Sequence, residues 1–126
     1  FGTSQPYVEY VEEQGGKIIT AGEVADRGPV VVDDIVDRID GVFDNVYLEV
    51  DVDVLDASVA SGVSAPTPGG LAARELYSMV YDLARRLDLA AVGFVECAPP
   101  LDTTDRTVMA ASRAIPHVIA GHVSKG

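Results

Sequence analysis

Two aspartates, Asp51 and Asp53, stand at the end of an apolar run that reads VYLEVDVDVLD from Val46 to Asp56. A strand repeats every second residue, so Glu49, Asp51 and Asp53 are expected on one face, while Val50 and Val52 mark a strand buried on at least one side. Taking an ionised carboxylate out of water is costly unless it is paired or bound to a cation, and a neighbouring like charge adds to the cost. A cation is the economical explanation of adjacent acids in such a setting. The competing reading is that strand pairing stops at Val50 and both acids lie in a solvated loop. The local pattern does not choose between them.

The elements that must position these acids alternate between helix and strand. Gln5 to Gln14 carries Tyr7, Val8 and Val11 at helical spacing and ends at Gly15-Gly16. Lys17 to Thr20 is a short β-rich run and is expected to form a strand. A helix is predicted after Gly28-Pro29, with Val32, Ile35, Val36 and Ile39 as its apolar stripe, Gly41 as its stop, and Asp33, Asp34, Asp37 and Arg38 facing water. The central strand runs from about Asn45 to Val52. Leu55 to Gly70 is a long connection rich in Ser, Ala, Pro and Gly, of a length that in compact domains tends to be functional. Leu71 to Asp88 shows Leu76, Met79, Val80, Leu83 and Leu87 at helical spacing, and Met79 on that stripe reads as packing. Leu89 to Val95 is an uninterrupted apolar strand, as expected when both faces are covered, and ends at Glu96. A last helix spans Thr104 to about Ile119, capped by Asp102 or Thr103 and kinked or broken by Pro116. This order implies an α/β layer with parallel strands joined by crossovers. Ligands of such sheets lie beyond the carboxyl ends of the strands, where Asp51, Asp53 and Glu96 all fall.

Composition narrows the classes. One compact domain is the most that 126 residues suggest, and 48% hydrophobic residues are ample for a core. A net charge of −11 with nine Lys and Arg leaves no basic stripe for phosphates, which argues against nucleic acid as a partner. Cys97 is the one cysteine, so no internal disulfide forms. The apolar runs are short of membrane-spanning length, and the opening residues lack the features of a signal peptide. The expectation is a soluble, cytoplasmic protein. No Met stands at Phe1, and the chain reads as an internal stretch of a longer product.

Two other acidic chemistries fit poorly. A calcium loop wants acids at its first, third and fifth positions and Gly at its sixth; Asp51, Asp53 and Asp56 with Val54-Leu55 between them fail at two positions. Phosphatases with an aspartate nucleophile also use Asp-x-Asp after an apolar strand, but Leu55 stands where Thr or Val is usual, and the required Lys and further acids at strand ends are not found.

The continuation is more specific. YLEVDVDVLD from Tyr47 is followed by SGVSAPTPGGL at Ser61 to Leu71, by Arg74-Glu75, and by GFVECAPPLD at Gly93 to Asp102. Over essentially the whole chain this resembles the C-terminal part of the ureohydrolase family, which comprises arginases, agmatinases and formimidoylglutamases. The resemblance implies residues 1–126 as the C-terminal part of a single arginase-like α/β domain, a three-layer sandwich around a parallel sheet. It further implies that Asp51 bridges two Mn²⁺ ions, that Asp53 binds the second of them, and that Glu96 holds the cationic guanidinium or formimino group of a small-molecule substrate. Carboxylate oxygens suit Mn²⁺, and two close metals can make hydroxide from water near neutral pH to attack the trigonal carbon. An amine and urea or formamide would be the products.

Several positions depart from the family pattern. Glu49 replaces the usual Ser, so that a third carboxylate either points toward the metals or pairs with a Lys or Arg elsewhere. Ala57 replaces Pro, and Gly93 stands where many members have Asp. SGVSAP is closer to formimidoylglutamases and ECAPPLD to agmatinases, which leaves the substrate open. The family's Gly-Gly-x-His and Asp-x-His-x-Asp segments do not occur, and His117 and His122 on the last helix read as surface or core residues. Two carboxylates make a weak metal site. The chain alone is therefore expected to be an incomplete enzyme, with an open sheet edge that invites homo-oligomer formation. The alternative is a non-catalytic arginase-fold segment whose acids serve packing or association. Cys97 reads as a buried thiol rather than a site residue.

Overall fold

The computed structural model describes residues 4–125. Two parallel strands, β1 (Val46–Asp51) and β2 (Leu89–Val95), are joined by a crossover that contains helix α4 (Ala73–Arg86). Helices α1 (Gln5–Glu13), α2 (Ala21–Arg27) and α3 (Val30–Ile39) precede the sheet, and α5 (Arg106–Val123) follows it. The strands pair in register, Glu49 with Gly93, Val50 with Phe94 and Asp51 with Val95.

Alternation along β1 sorts its side chains. Leu48 and Val50 face the core, while Tyr47, Glu49 and Asp51 lie on the exposed side. The main core gathers Val31, Val50, Val52, Leu55, Leu76 and Val80, and each fully buried Val or Leu contributes about 1.5–3 kcal/mol by leaving water. A second cluster, Val32, Val36, Leu83 and Leu87, joins α3 to α4.

α4 starts where the side chain of Glu75 accepts from the Ala72 N–H at 2.8 Å, and Leu76, Val80 and Leu83 form its buried stripe. α5 packs along it closely. A methyl group on Gly121 would overlap the carbonyl oxygen of Tyr81, so glycine sets how near the two helices come. Pro116 lies inside α5 without ending it. Loss of one backbone donor is offset by the contact with α4, where Ala110, Ala114 and Gly121 are buried. Asp102 is buried and caps α5 from a distance, its Oδ2 accepting from the Val108 N–H at 2.9 Å, while Asp105 occupies the turn at φ +56°.

Three expectations are corrected. Lys17 to Thr20 is not a strand, because no neighbouring strand pairs with it among the described residues. Lys17 instead reaches Asp34 at 3.0 Å, and Ile19 packs on the main core. α2 is an added helix, nucleated by a reciprocal cap in which Glu23 N–H donates to Thr20 Oγ1 at 3.2 Å and Thr20 N–H donates to Glu23 Oε2 at 2.8 Å. Asp33 and Asp34 do more than face water. Asp34 is shared by Lys17 and by Arg27 at 2.8 Å, and Asp33 pairs with Arg86 of α4. No helix among the described residues is long and apolar enough to cross a membrane.

Candidate functional site

β1 ends at Asp51, and the chain then winds into a 3-10 turn, Val52–Val54, so Asp53 leaves the strand alternation that would have placed it beside Asp51. Val52 is buried and pins this turn to the core. Asp51 is exposed and Asp53 half-buried. On the neighbouring strand Glu96 directly follows Val95, the partner of Asp51, and adopts a left-handed φ of +62° that turns the chain out of the sheet. Asp51, Asp53 and Glu96 thus gather at the carboxyl ends of the two strands.

Their electrostatics record the gathering. The Asp51 carboxyl is pushed above its ordinary range, first by partial burial and then by the negative charges of Asp53, Glu49 and Glu96. None of these four acids takes part in the ion pairs found among the described residues. Glu49 pairs with neither Lys nor Arg; it accepts a hydrogen bond from Tyr47 Oη at 2.9 Å, two residues back on the same face. That bond, followed by desolvation and the charges of Glu49 and Asp51, holds the Tyr47 phenol above its ordinary range. Gly93 makes the arrangement fit, since a Cβ there would overlap the Tyr47 hydroxyl.

The connection from Leu55 to Gly70 reaches the site at Ser64, whose hydroxyl donates to Glu96 Oε2 at 3.1 Å, and Asp56 clasps its ends. Asp56 Oδ1 accepts from the Ser58 N–H at 2.8 Å and from the Ser58 hydroxyl, while Oδ2 accepts from the Gly69 N–H at 2.7 Å. The Ser58 hydroxyl is the largest cause of a lowered Asp56 pKa, followed by the backbone of Ser58 and Gly69. Backbone bonds add to the clasp, with Asp56 N–H donating to Leu71 O at 2.9 Å and Leu71 N–H to Val54 O at 2.8 Å. Gly70 runs so close to this backbone that a Cβ would lie 2.6 Å from Asp56 N. Sequence reading does not single out Asp56 as a clasp, although the Asp-x-Ser spacing of an Asx turn was there to be read.

A groove of about 410 Å³ runs along the free edge of β1, lined by Glu49, Asp51, Val54, Leu71 and Met79 among others. A larger cleft of about 560 Å³ lies among the loop after α1, α3 and Phe43 and has no carboxylate in its lining, whereas the groove takes in Glu49 and Asp51. His117 stacks on Tyr77 of α4 with ring centroids 4.8 Å apart, a packing role between helices. Cys97 packs half-buried against the main core.

A hard divalent cation fits this donor chemistry, because it would neutralise carboxylates that otherwise repel one another. The set is partial. Among the described residues no three His, Cys, Asp or Glu side chains are arranged to hold a metal ion.

Comparison with known proteins matches the same frame. Formimidoylglutamase of Halobacterium salinarum is 46% identical over 122 residues, covering 96% of this chain and 39% of that protein. The crystal structure of formimidoylglutamase from Bacillus subtilis superposes with a TM-score of 0.89 at 33% identity, over 96% of this chain and 38% of that one. A Trypanosoma cruzi formiminoglutamase solved with Mn²⁺ shares the fold at a TM-score of 0.84 and 24% identity, over 98% of this chain and 40% of that one. The chain thus spans about two-fifths of the length of these relatives, in their C-terminal part. The arginase family model matches residues 2–121. With its parallel strand pair, its acids at the strand ends and this match over nearly its whole length, the chain belongs to the arginase family.

Proposed function

We propose that this chain supplies part of the active site of a metal-dependent amidinohydrolase that cleaves a C–N bond of a formimino or guanidino compound, with formiminoglutamate the first substrate to test. The observation that carries this reading is the gathering of Asp51, Asp53 and Glu96 at the carboxyl ends of the paired strands, where desolvation first, and then the charges of Asp53, Glu49 and Glu96, push the Asp51 carboxyl above its ordinary range. Asp51 and Asp53 would hold metal, and the similarity to formimidoylglutamases supports Mn²⁺ as the ion. Two Mn²⁺ ions, when bound, would supply the positive charge that makes hydroxide available near neutral pH.

The chain's own residues account for the rest of its part. Glu96 offers a planar carboxylate to a planar cation, a geometry that charge-assisted hydrogen bonds reward. Glu49, turned aside by Tyr47, contributes negative potential that favours cations without being a ligand. The clasped connection keeps Val54 and Leu71 against the groove and gives the acids an apolar wall. Two carboxylates fall short of a dinuclear coordination sphere, so the 126 residues alone are inactive on this reading. Assembly into a homo-oligomer and a cytoplasmic setting belong to the same proposal.

The test is Mn²⁺ binding by calorimetry to the complete reading frame that contains this sequence, alongside the 126-residue chain. About two ions bound by the former, and lost in an Asp51→Ala, Asp53→Ala double variant, supports the dinuclear hydrolase. Formiminoglutamate, agmatine and arginine are then assayed in that order. A complete protein that binds no metal overturns the proposal.

A further inference from the structure

An exposed glutamate has three side-chain torsions and samples several rotamers unless something holds it. Glu96 is such a residue, yet the proposed function asks it to meet a planar cation in one orientation. One side chain restrains it. Ser64 Oγ donates to Glu96 Oε2 at 3.1 Å, from 32 positions earlier in the chain.

Both ends of that hydrogen bond stand on fixed backbone. Val63, 1% exposed, pairs antiparallel with Cys97, so the residues flanking Ser64 and Glu96 are tied to each other. Ala98 N–H donates to Gly62 O at 2.8 Å, and Gly62 N–H donates to Thr107 Oγ1 at 2.8 Å, which fastens the same stretch to the start of α5. Gly62 has no room to shift, because even a Cβ would overlap Asp102. At the other end, φ +62° at Glu96 fixes the direction in which its side chain departs. A serine has a single heavy-atom torsion, so its hydroxyl pays little entropy to hold this position.

We infer that Ser64 is a positioning residue for the Glu96 carboxylate, holding it by one oxygen so that Oε1 and the remaining lone pair of Oε2 face the substrate in one plane. The N–H groups of a protonated formimino or guanidino group are also coplanar, so a carboxylate held this way meets two of them together. The inference rests on the assignment of Glu96 to substrate binding. It adds that the connection after β1 orients that residue as well as bordering it.

The test compares Ser64→Ala and Ser64→Thr in the complete Mn²⁺-loaded protein. Ser64→Ala is expected to lower kcat/KM about tenfold, mostly through KM, as loss of one hydrogen bond to a charged group predicts. Mn²⁺ stoichiometry by calorimetry and the urea unfolding midpoint should stay at their wild-type values. Ser64→Thr keeps the hydroxyl and is expected to recover activity to within about threefold. An alanine variant with wild-type KM and kcat overturns the inference and leaves the function standing. So does one that loses Mn²⁺ or stability, which would make the role structural, and so does a threonine variant no better than alanine. A wild-type protein that turns over none of the three substrates overturns the function itself and the inference with it.

Discussion

The connection from Leu55 to Gly70 and the N-terminal stretch from Ser4 to Thr20 contrast in the opposite sense to their sequences. The connection is irregular and rich in small residues, yet Leu55 and Ala60 are 0% exposed and Val63 1%. The N-terminal stretch forms a regular helix, yet α1 buries none of its residues and leaves Tyr7 68% and Tyr10 61% exposed. A periodic pattern fixes local shape, because helix geometry depends on neighbours three and four residues apart. Burial depends on what the rest of the chain brings to the other side. α1 has amphipathic spacing, but among the described residues its Val8 and Val11 are no more than half-buried, whereas the connection has three apolar anchors placed over the core.

The contrast can be broken from its strong side. Leu55→Ala should cost about 2–5 kcal/mol, the range for an aliphatic side chain truncated in a packed core, read from urea unfolding. Gly121→Ala should cost about 1–3 kcal/mol by forcing α5 away from α4 at Tyr81, and the same unfolding curve reads it. Asp56 gives a pH signature. Its folded pKa is lowered, so its contribution to stability is present above the ordinary carboxylate range, near pH 4, and is lost as pH falls through the folded value. Asp56→Asn should lower stability at neutral pH and flatten the acid limb of a stability-against-pH profile; an unchanged limb would remove Asp56 as the clasp. On the weak side, Tyr7→Ala and Tyr10→Ala should each change stability by less than about 0.5 kcal/mol. A larger loss would mean that α1 is anchored after all.

Much of the frame could be read from the sequence. β1, α4 and α5 carry their periodicity within single segments, β2 is a continuous apolar run, and the acids at the strand ends follow from parallel topology. What could not be read depended on partners. Lys17 to Thr20 has the composition of a strand, but a strand exists only beside another, and Lys17 went to Asp34 instead. The spacing expects Asp53 to alternate with Asp51, but strand pairing ends at Asp51 and Val52–Val54 wind into a 3-10 turn. The reciprocal cap at Thr20 and Glu23 was legible and announces α2 without any tertiary knowledge. Pro116 reads as a kink or a break because the sequence does not show the packing against α4 that carries the helix through it.

The clasp at Asp56 also divides the connection into parts that vary on different terms. Leu55, Ala60, Val63 and the clasp itself tolerate little change, since each alteration is felt by the core. Ala65, Pro66, Thr67 and Pro68 are exposed at the tip, between those fixed ends. Mutation can therefore explore new contacts beside Ser64, the residue that reaches Glu96, while the frame goes on folding, and the four tip residues are the natural unit of exchange between relatives.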